Sequence, residues 1–183
     1  MAQVSLIICS GFHDPEATQQ LMADLGRYLP GDRRSLSVYV HPTPADGIWA
    51  PIATRSLRQR LDSILEPIIF LAFSAGVLTA ASVARHRHYQ TPGQVLALFA
   101  VDGWGVPLSE PFPVHRLSHD HFTHITSAGR CGDHFYADPA VDHLQLWQRP
   151  SLTTGLALPS QTPTTAAEFI TGWLAHYCMG RVG

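Results

Sequence analysis

Lysine is absent. All twelve basic residues are arginine, set against fourteen acidic ones, and the formal net charge is −2. A nucleic-acid binder normally gathers a basic excess on one face, and no excess exists here, so no nucleic-acid partner is expected. Charge of either sign is scarce: 14% of residues are charged while 45% are apolar, the reverse of the balance that keeps a chain disordered. Cysteine is also sparse. Cys9, Cys131 and Cys178 are odd in number and show no C-x-x-C spacing, which fits a reducing, cytoplasmic setting better than a secreted disulfide scaffold. Cys9 lies in an apolar run and reads as buried packing. No apolar run approaches the ~20 residues of a membrane span. Residues 1–3 supply no basic stretch ahead of the first apolar run, so no signal peptide is expected. A lipid-surface partner stays open without being indicated, and oligomeric state is not legible. What the chain has in excess is histidine: eleven, six of them between His115 and His143.

At 183 residues the chain has the length of a single domain that can hold a core without disulfides or metal. Short apolar runs alternate with helix-like stretches through its first hundred residues. Val4–Cys9 suits a buried parallel strand. Asp14-Pro15 opens a helix whose stripe is Leu21, Met22, Leu25 and Tyr28. Residues 36–40 read as a second strand, and Leu57, Leu61, Ile64 and Leu65 as a second helix. Ile68–Phe73 is a third strand, 75–84 a helix of small residues, and Val95–Val101 a fourth strand. This strand–helix alternation predicts an α/β fold, with a mostly parallel central sheet and helices on both faces. Residues 103–134 form a Gly-, His- and aromatic-rich insertion in which 122–127 is the expected strand. Residues 143–147 are expected to make the last strand, and 153–163 a polar connector. Thr165 and Glu168 form a capping box opening a final helix.

Phe70-Leu71-Ala72-Phe73-Ser74-Ala75-Gly76 is the segment richest in chemistry. A buried strand ends at Ser74 and a helix begins at once, the context of a nucleophile elbow. Such a turn needs small residues two before and two after the serine, and Ala72 and Gly76 meet that need. The plainer alternative makes Ser74 a helix cap. A serine nucleophile requires a base, an acid to orient it, and donors for the oxyanion. Ser10-Gly11-Phe12 follows the first strand, so the backbone N–H groups of Phe12 and Ala75 are the expected oxyanion donors, with Gly11 allowing close approach. Asp102 follows the fourth strand, at the same sheet edge as Ser74, and is the expected acid. Asp120, Asp133 and Asp138 are its competitors. The order Ser–Asp–His asks for a later histidine, and His143 fits best, ahead of His119, His121 and His124. Trp104, Gly11 and His121 are candidates for lining a substrate pocket.

The strings Ala72-Phe73-Ser74-Ala75-Gly76, Asp102-Gly103-Trp104-Gly105-Val106-Pro107-Leu108 and Phe112-Pro113-Val114-His115-Arg116-Leu117-Ser118-His119-Asp120, with the tail Phe135 to Trp147, resemble a group of small cyanobacterial-type α/β-hydrolase-like proteins. The resemblance covers residues 4–150. It implies a minimal α/β-hydrolase fold without the leading antiparallel strands, and an esterase, lipase or thioesterase activity needing no cofactor.

Two readings compete with a serine hydrolase acting on a small ester or thioester. One is a catalytically silent hydrolase-fold module that binds a ligand or a protein. The other is a metal protein built on His115, His119, Asp120, His121 and His124, whose donor types suit zinc, nickel or iron. The spacing of that set in an irregular loop defines no common face, so no metal is expected there.

Overall fold

The structure, a computed structural model, describes residues 3–29, 36–41, 50–103, 105–106, 108–127 and 132–180. Trp104, Cys131 and the Arg33-Arg34 pair lie outside the described residues. Eight strands form one sheet in the order β2-β1-β3-β4-β5-β6-β7-β8. They are β1 (Val4–Cys9), β2 (Leu36–His41), β3 (Ile68–Phe73), β4 (Val95–Val101), β5 (Val114–Ser118), β6 (His134–Ala137), β7 (Thr154–Leu158) and β8 (Thr162–Thr165). β1 to β6 pair in parallel, while β7 and β8 run antiparallel. The helices are α1 (Pro15–Leu25), α2 (Ala50–Leu61), α3 (Gly76–Gln90), α4 (His121–Thr126), α5 (His143–Gln148) and α6 (Ala166–Met179). Among the described residues no helix is long and apolar enough to cross a membrane.

Why β3 and β4 are apolar throughout, and β1 apolar but for the buried Ser5, follows from their central place. Every residue of β1 and β3 is buried, because helices cover both faces and alternate side chains enter different cores. Leu6, Ile8, Ile69, Leu71, Phe73 and Val101 join α1 and α6 in one core. Ile7, Cys9, Phe70, Ala72 and Ala100 join Leu57 of α2 and Val77 of α3 in the other. Truncating any of the large members, Leu6→Ala for example, leaves a cavity of the kind that costs about 2–5 kcal/mol. Burial pushes the Cys9 thiol up to about 12, so it packs and does not react. The capping box forms as expected: Thr165 Oγ1 accepts from the Glu168 N–H, and Glu168 accepts from the Thr165 N–H.

Four expectations are corrected. Residues 122–126 belong to a helix, α4, with Ser127 as its C-cap, because Asp120 caps its first turn by accepting from Thr123 N–H at 2.6 Å; the cap overrides β-branched and aromatic side chains. The expected last strand at 143–147 is the helix α5. The expected connector at 153–163 contains β7 and the first half of β8. Its strand character was hidden by Gly155, whose Cβ would collide with Tyr136 O, and by Pro163, which an edge strand tolerates. α2 ends at Leu61, so Ile64 packs from the following turn and Leu65 is exposed.

Candidate active site

Ser74, Asp102 and His119 all sit where parallel strands end. Ser74 follows β3 and Asp102 follows β4, and both adopt left-handed backbone, with φ of 51° and 48°. Non-glycine residues hold that conformation only when their surroundings enforce it. The surroundings are visible. Ser74 N–H donates to Val101 O at 2.9 Å and Asp102 N–H donates to Leu117 O at 2.8 Å, so each residue is tied to the neighbouring strand just as its chain turns away. α3 then starts at Gly76 with no side-chain cap; the Val77 and Leu78 N–H groups donate back to Ser74 O and Ala75 O at 3.1 and 3.3 Å.

The glycines around Ser74 are required by close approach. A Cβ on Gly76 would stand 2.5 Å from Cys9 O and 2.6 Å from Ser10 O, and one on Gly11 would stand 3.0 Å from the Ser74 Cβ. The Ser10-Gly11-Phe12 loop is therefore packed against the elbow, as the sequence order suggested. Phe12 itself points its ring to solvent.

Asp102 is buried, its side chain 1% exposed, and its carboxylate collects three donors. Oδ1 accepts the His119 N–H at 2.9 Å. Oδ2 lies 2.8 Å from His143 Nδ1 and 3.0 Å from His119 Nδ1. A neutral imidazole that donates from Nδ1 keeps a lone pair on Nε2, and His143 is oriented in that sense. Its ring stacks on Phe73 with centroids 4.5 Å apart, and Phe73 is backed in turn by Trp147 at 5.0 Å. Phe73 immediately precedes Ser74, so this stack brings His143 to the end of β3. The hydrogen bonds of the described residues join His143 to Asp102 but include none from His143 to Ser74.

His119 is the residue that sequence reasoning undervalued. It follows β5 as Asp102 follows β4, and the two strands pair Val101 with Leu117. That register, had β5 been recognised, was the signal. His119 Nε2 also lies 3.5 Å from Asp120 Oδ2, so the ring stands between two carboxylates. Burial pushes the Asp120 carboxyl up, but the hydrogen bonds from Thr123 and then the charges of His119 and His121 outweigh it and hold it below the usual range.

The other clustered histidines lie elsewhere. His121 contacts Tyr136 and His124 and lines a cavity of about 450 Å³ with His134 and Pro159; its ring contacts do not reach Asp102. Asp133 and Asp138, the rival acids, take no part in the hydrogen bonds around His143. His115 is buried between Phe99 and Trp173, stacked on both at 4.9 and 4.5 Å, with Nε2 2.8 Å from Tyr177 Oη.

Burial pushes the His115 pKa down to about 4. The nearby His134 and His176 add to the shift, and a backbone contact at Asp133, short of hydrogen-bond geometry, opposes it. The folded pKa is thus below the unfolded one, so the unfolded chain binds the extra proton first. The stability held by neutral His115 is complete above about pH 6.5 and is lost as pH falls toward 4. Urea unfolding from pH 7 to pH 4 is expected to show a loss of roughly 3 kcal/mol from this group. His115→Phe is expected to flatten the slope in that window, and an unchanged slope assigns the loss to other groups.

No family model matches the chain. No curated protein matches it either. Among solved structures, an extracellular α/β-hydrolase from a Paenibacillus species is similar over 57% of this chain and 42% of its own, at 15% identity and a TM-score of 0.43. The pyrethroid hydrolase PytH is similar over 58% of this chain and 42% of its own, at 19% identity and a TM-score of 0.40. A YdeN-like hydrolase from Pectobacterium atrosepticum is similar over 64% of each chain, at 15% identity and a TM-score of 0.40. The chain therefore spans less than two thirds of the length of each.

Proposed function

We propose that this chain is a serine hydrolase of the α/β-hydrolase type, acting on a small ester or thioester. The observation that supports this most is the pairing of two left-handed strand ends: Ser74 on β3, and Asp102 on β4 holding His143 by Nδ1. A residue that merely caps a helix has no need of a positive φ, and Ser74 takes one at the point where a hydroxyl would leave the sheet edge.

In this reading Ser74 Oγ attacks the substrate carbonyl carbon while His143 Nε2 takes the hydroxyl proton. Asp102 keeps the Nδ1 proton in place and offsets the charge of the imidazolium that forms. The carbonyl oxygen, now an oxyanion, receives the backbone N–H groups of Ala75 and Phe12. Collapse of the tetrahedral intermediate breaks the bond to the alcohol or thiol, which leaves with the proton from His143. Water then attacks the acyl-serine, His143 again taking and returning a proton, and the acid is released with Ser74 restored.

A fluorophosphonate probe tests the reading directly. Labelling is expected on Ser74, identified by peptide mass, and absent in Ser74→Ala. A native protein that takes no label while phosphonates label a control hydrolase would refute the reading in favour of a silent binding module.

A further inference from the structure

We propose that Asp102, His119 and His143 form a site for one zinc-class divalent ion, and that this ion switches the enzyme off by holding His143 in the wrong tautomer. The ion site stands on geometry alone; the switch rests on the hydrolase reading.

The three side chains present Oδ2, Nδ1 and Nδ1, and these atoms all lie within 4.8 Å of one another. No other group of three such side chains meets that condition among the described residues. One carboxylate and two imidazoles, with a further position left open, is a donor set that zinc takes in three-ligand sites. Around a tetrahedral ion with bonds of ~2.0–2.1 Å the donors stand about 3.3 Å apart. The two separations from Asp102 Oδ2, 2.8 and 3.0 Å, need open by only a few tenths of an ångström, and the two Nδ1 atoms, within 4.8 Å of each other, would settle to the same spacing. The ion would take the place of two hydrogens that now point at the same oxygen. Entry is available, since the side chains of His143 and His119 are 47% and 26% exposed.

Asp120 is the independent observation. A metal-bound histidine usually donates its remaining N–H to a carboxylate, which fixes the ring and strengthens the ligand. His119 Nε2 already faces Asp120 Oδ2 at 3.5 Å. With Nδ1 donating to Asp102, a neutral His119 turns a lone pair toward that carboxylate, acceptor against acceptor. With Nδ1 on a metal, the hydrogen moves to Nε2 and meets Asp120. A neutral His119 is better satisfied with the ion than without it.

The same relocation at His143 has the opposite consequence. A neutral imidazole that coordinates through Nδ1 carries its hydrogen on Nε2. No net proton is gained or lost, but Nε2 becomes a donor and can no longer accept the Ser74 proton. Asp102 is simultaneously committed to the ion.

Zinc chloride is titrated into the full chain, with binding read by calorimetry and the imidazole tautomers by nitrogen NMR. One ion per chain is expected, with hydrogen on Nε2 of both His119 and His143. His119→Gln is expected to weaken binding at least ~10-fold, and Asp120→Asn, which keeps the helix cap, about 10-fold. Absence of binding, affinity in His119→Gln equal to that of the native chain, or Nδ1–H retained on both rings in the zinc-loaded protein overturns the site. Phosphonate labelling of Ser74 is then compared with and without zinc. Loss of label with zinc, restored by a chelator, supports the switch, and undiminished labelling at saturation overturns it. A chain that binds zinc with these tautomers yet takes no label under any condition removes the hydrolase reading and the switch together, leaving the ion site established.

Discussion

Asp102→Asn is expected to lower kcat/KM about 10⁴-fold, with little change in substrate affinity. The reason lies in how many donors the carboxylate serves. Oδ1 accepts the His119 N–H, and Oδ2 lies within hydrogen-bond distance of two imidazole Nδ1 atoms. An amide has one accepting end. If its oxygen faces the histidines, its NH₂ meets the His119 N–H, donor against donor. If the amide is turned, NH₂ faces His143 Nδ1 and drives the hydrogen to Nε2, which removes the base. The clash at the His119 N–H disfavours the first arrangement, and the second leaves His143 unable to take the Ser74 proton in the proposed mechanism. Hydrolysis of a nitrophenyl ester, with circular dichroism to verify folding, checks this, and a loss under tenfold would remove Asp102 from the mechanism. Asp120→Asn is the informative contrast, because Asp120 touches His119 and the α4 cap but not His143; a loss well short of that in Asp102→Asn is expected from it.

How much of this site was legible in the sequence depends on what each strand buries. β3 and β4 are apolar along their whole length and β1 is interrupted only by Ser5, since both faces are covered, and a run such as Ile-Ile-Phe-Leu-Ala-Phe announces itself. Ser74 and Asp102 were found because each stands one residue past such a run. β5 reads Val-His-Arg-Leu-Ser, and its His115 and Arg116 are buried. Two buried polar side chains erase the apolar signature that identifies a central strand. With β5 unseen, the register that carries His119 beside Asp102 was unseen too, and His119 stayed one histidine among six.

His143 illustrates a different outcome. Chain order selected it, although the element around it was expected to be a strand and is a helix. The site needs only that His143 arrive near β3, and its stack on Phe73 and the Val141 N–H bond to His119 O provide that whichever element follows. The C-terminal hairpin was illegible because Gly155 and Pro163 carry loop signals in isolation. Their tolerance comes from neighbours: the backbone of β6 against one, the open sheet edge beside the other. The metal reading weighed in the sequence, from which no metal was expected, used a different set of residues. Sequence proximity suggested His115, His119, Asp120, His121 and His124, whereas strand register and the Phe73 stack assemble Asp102, His119 and His143.

Ser74→Gly and Ser74→Ala are expected to be equally inactive, each slower by a factor on the order of 10⁶, yet to differ in stability in the direction opposite to usual. Alanine normally exceeds glycine, which gives up more backbone freedom on folding. At Ser74 the φ of 51° reverses this. Alanine keeps the Cβ that makes left-handed backbone unfavourable, and glycine does not. Strain of about 1–3 kcal/mol is relieved, while the added unfolded-state entropy takes back about 0.5–1 kcal/mol, so Ser74→Gly should exceed Ser74→Ala by about 1 kcal/mol in urea unfolding at equal m. The flanks strengthen the comparison. The Ser74 N–H bond to Val101 and the close approach of Gly76 to Cys9 O and Ser10 O are made by backbone, so both variants retain them and the difference isolates the Cβ with its approach to Gly11. Alanine as the more stable of the two would mean that the elbow holds no strain, and would withdraw the argument from the positive φ. The expected order means that this fold spends stability on one residue whose side chain contributes nothing to its core, which is the mark of a position held for chemistry.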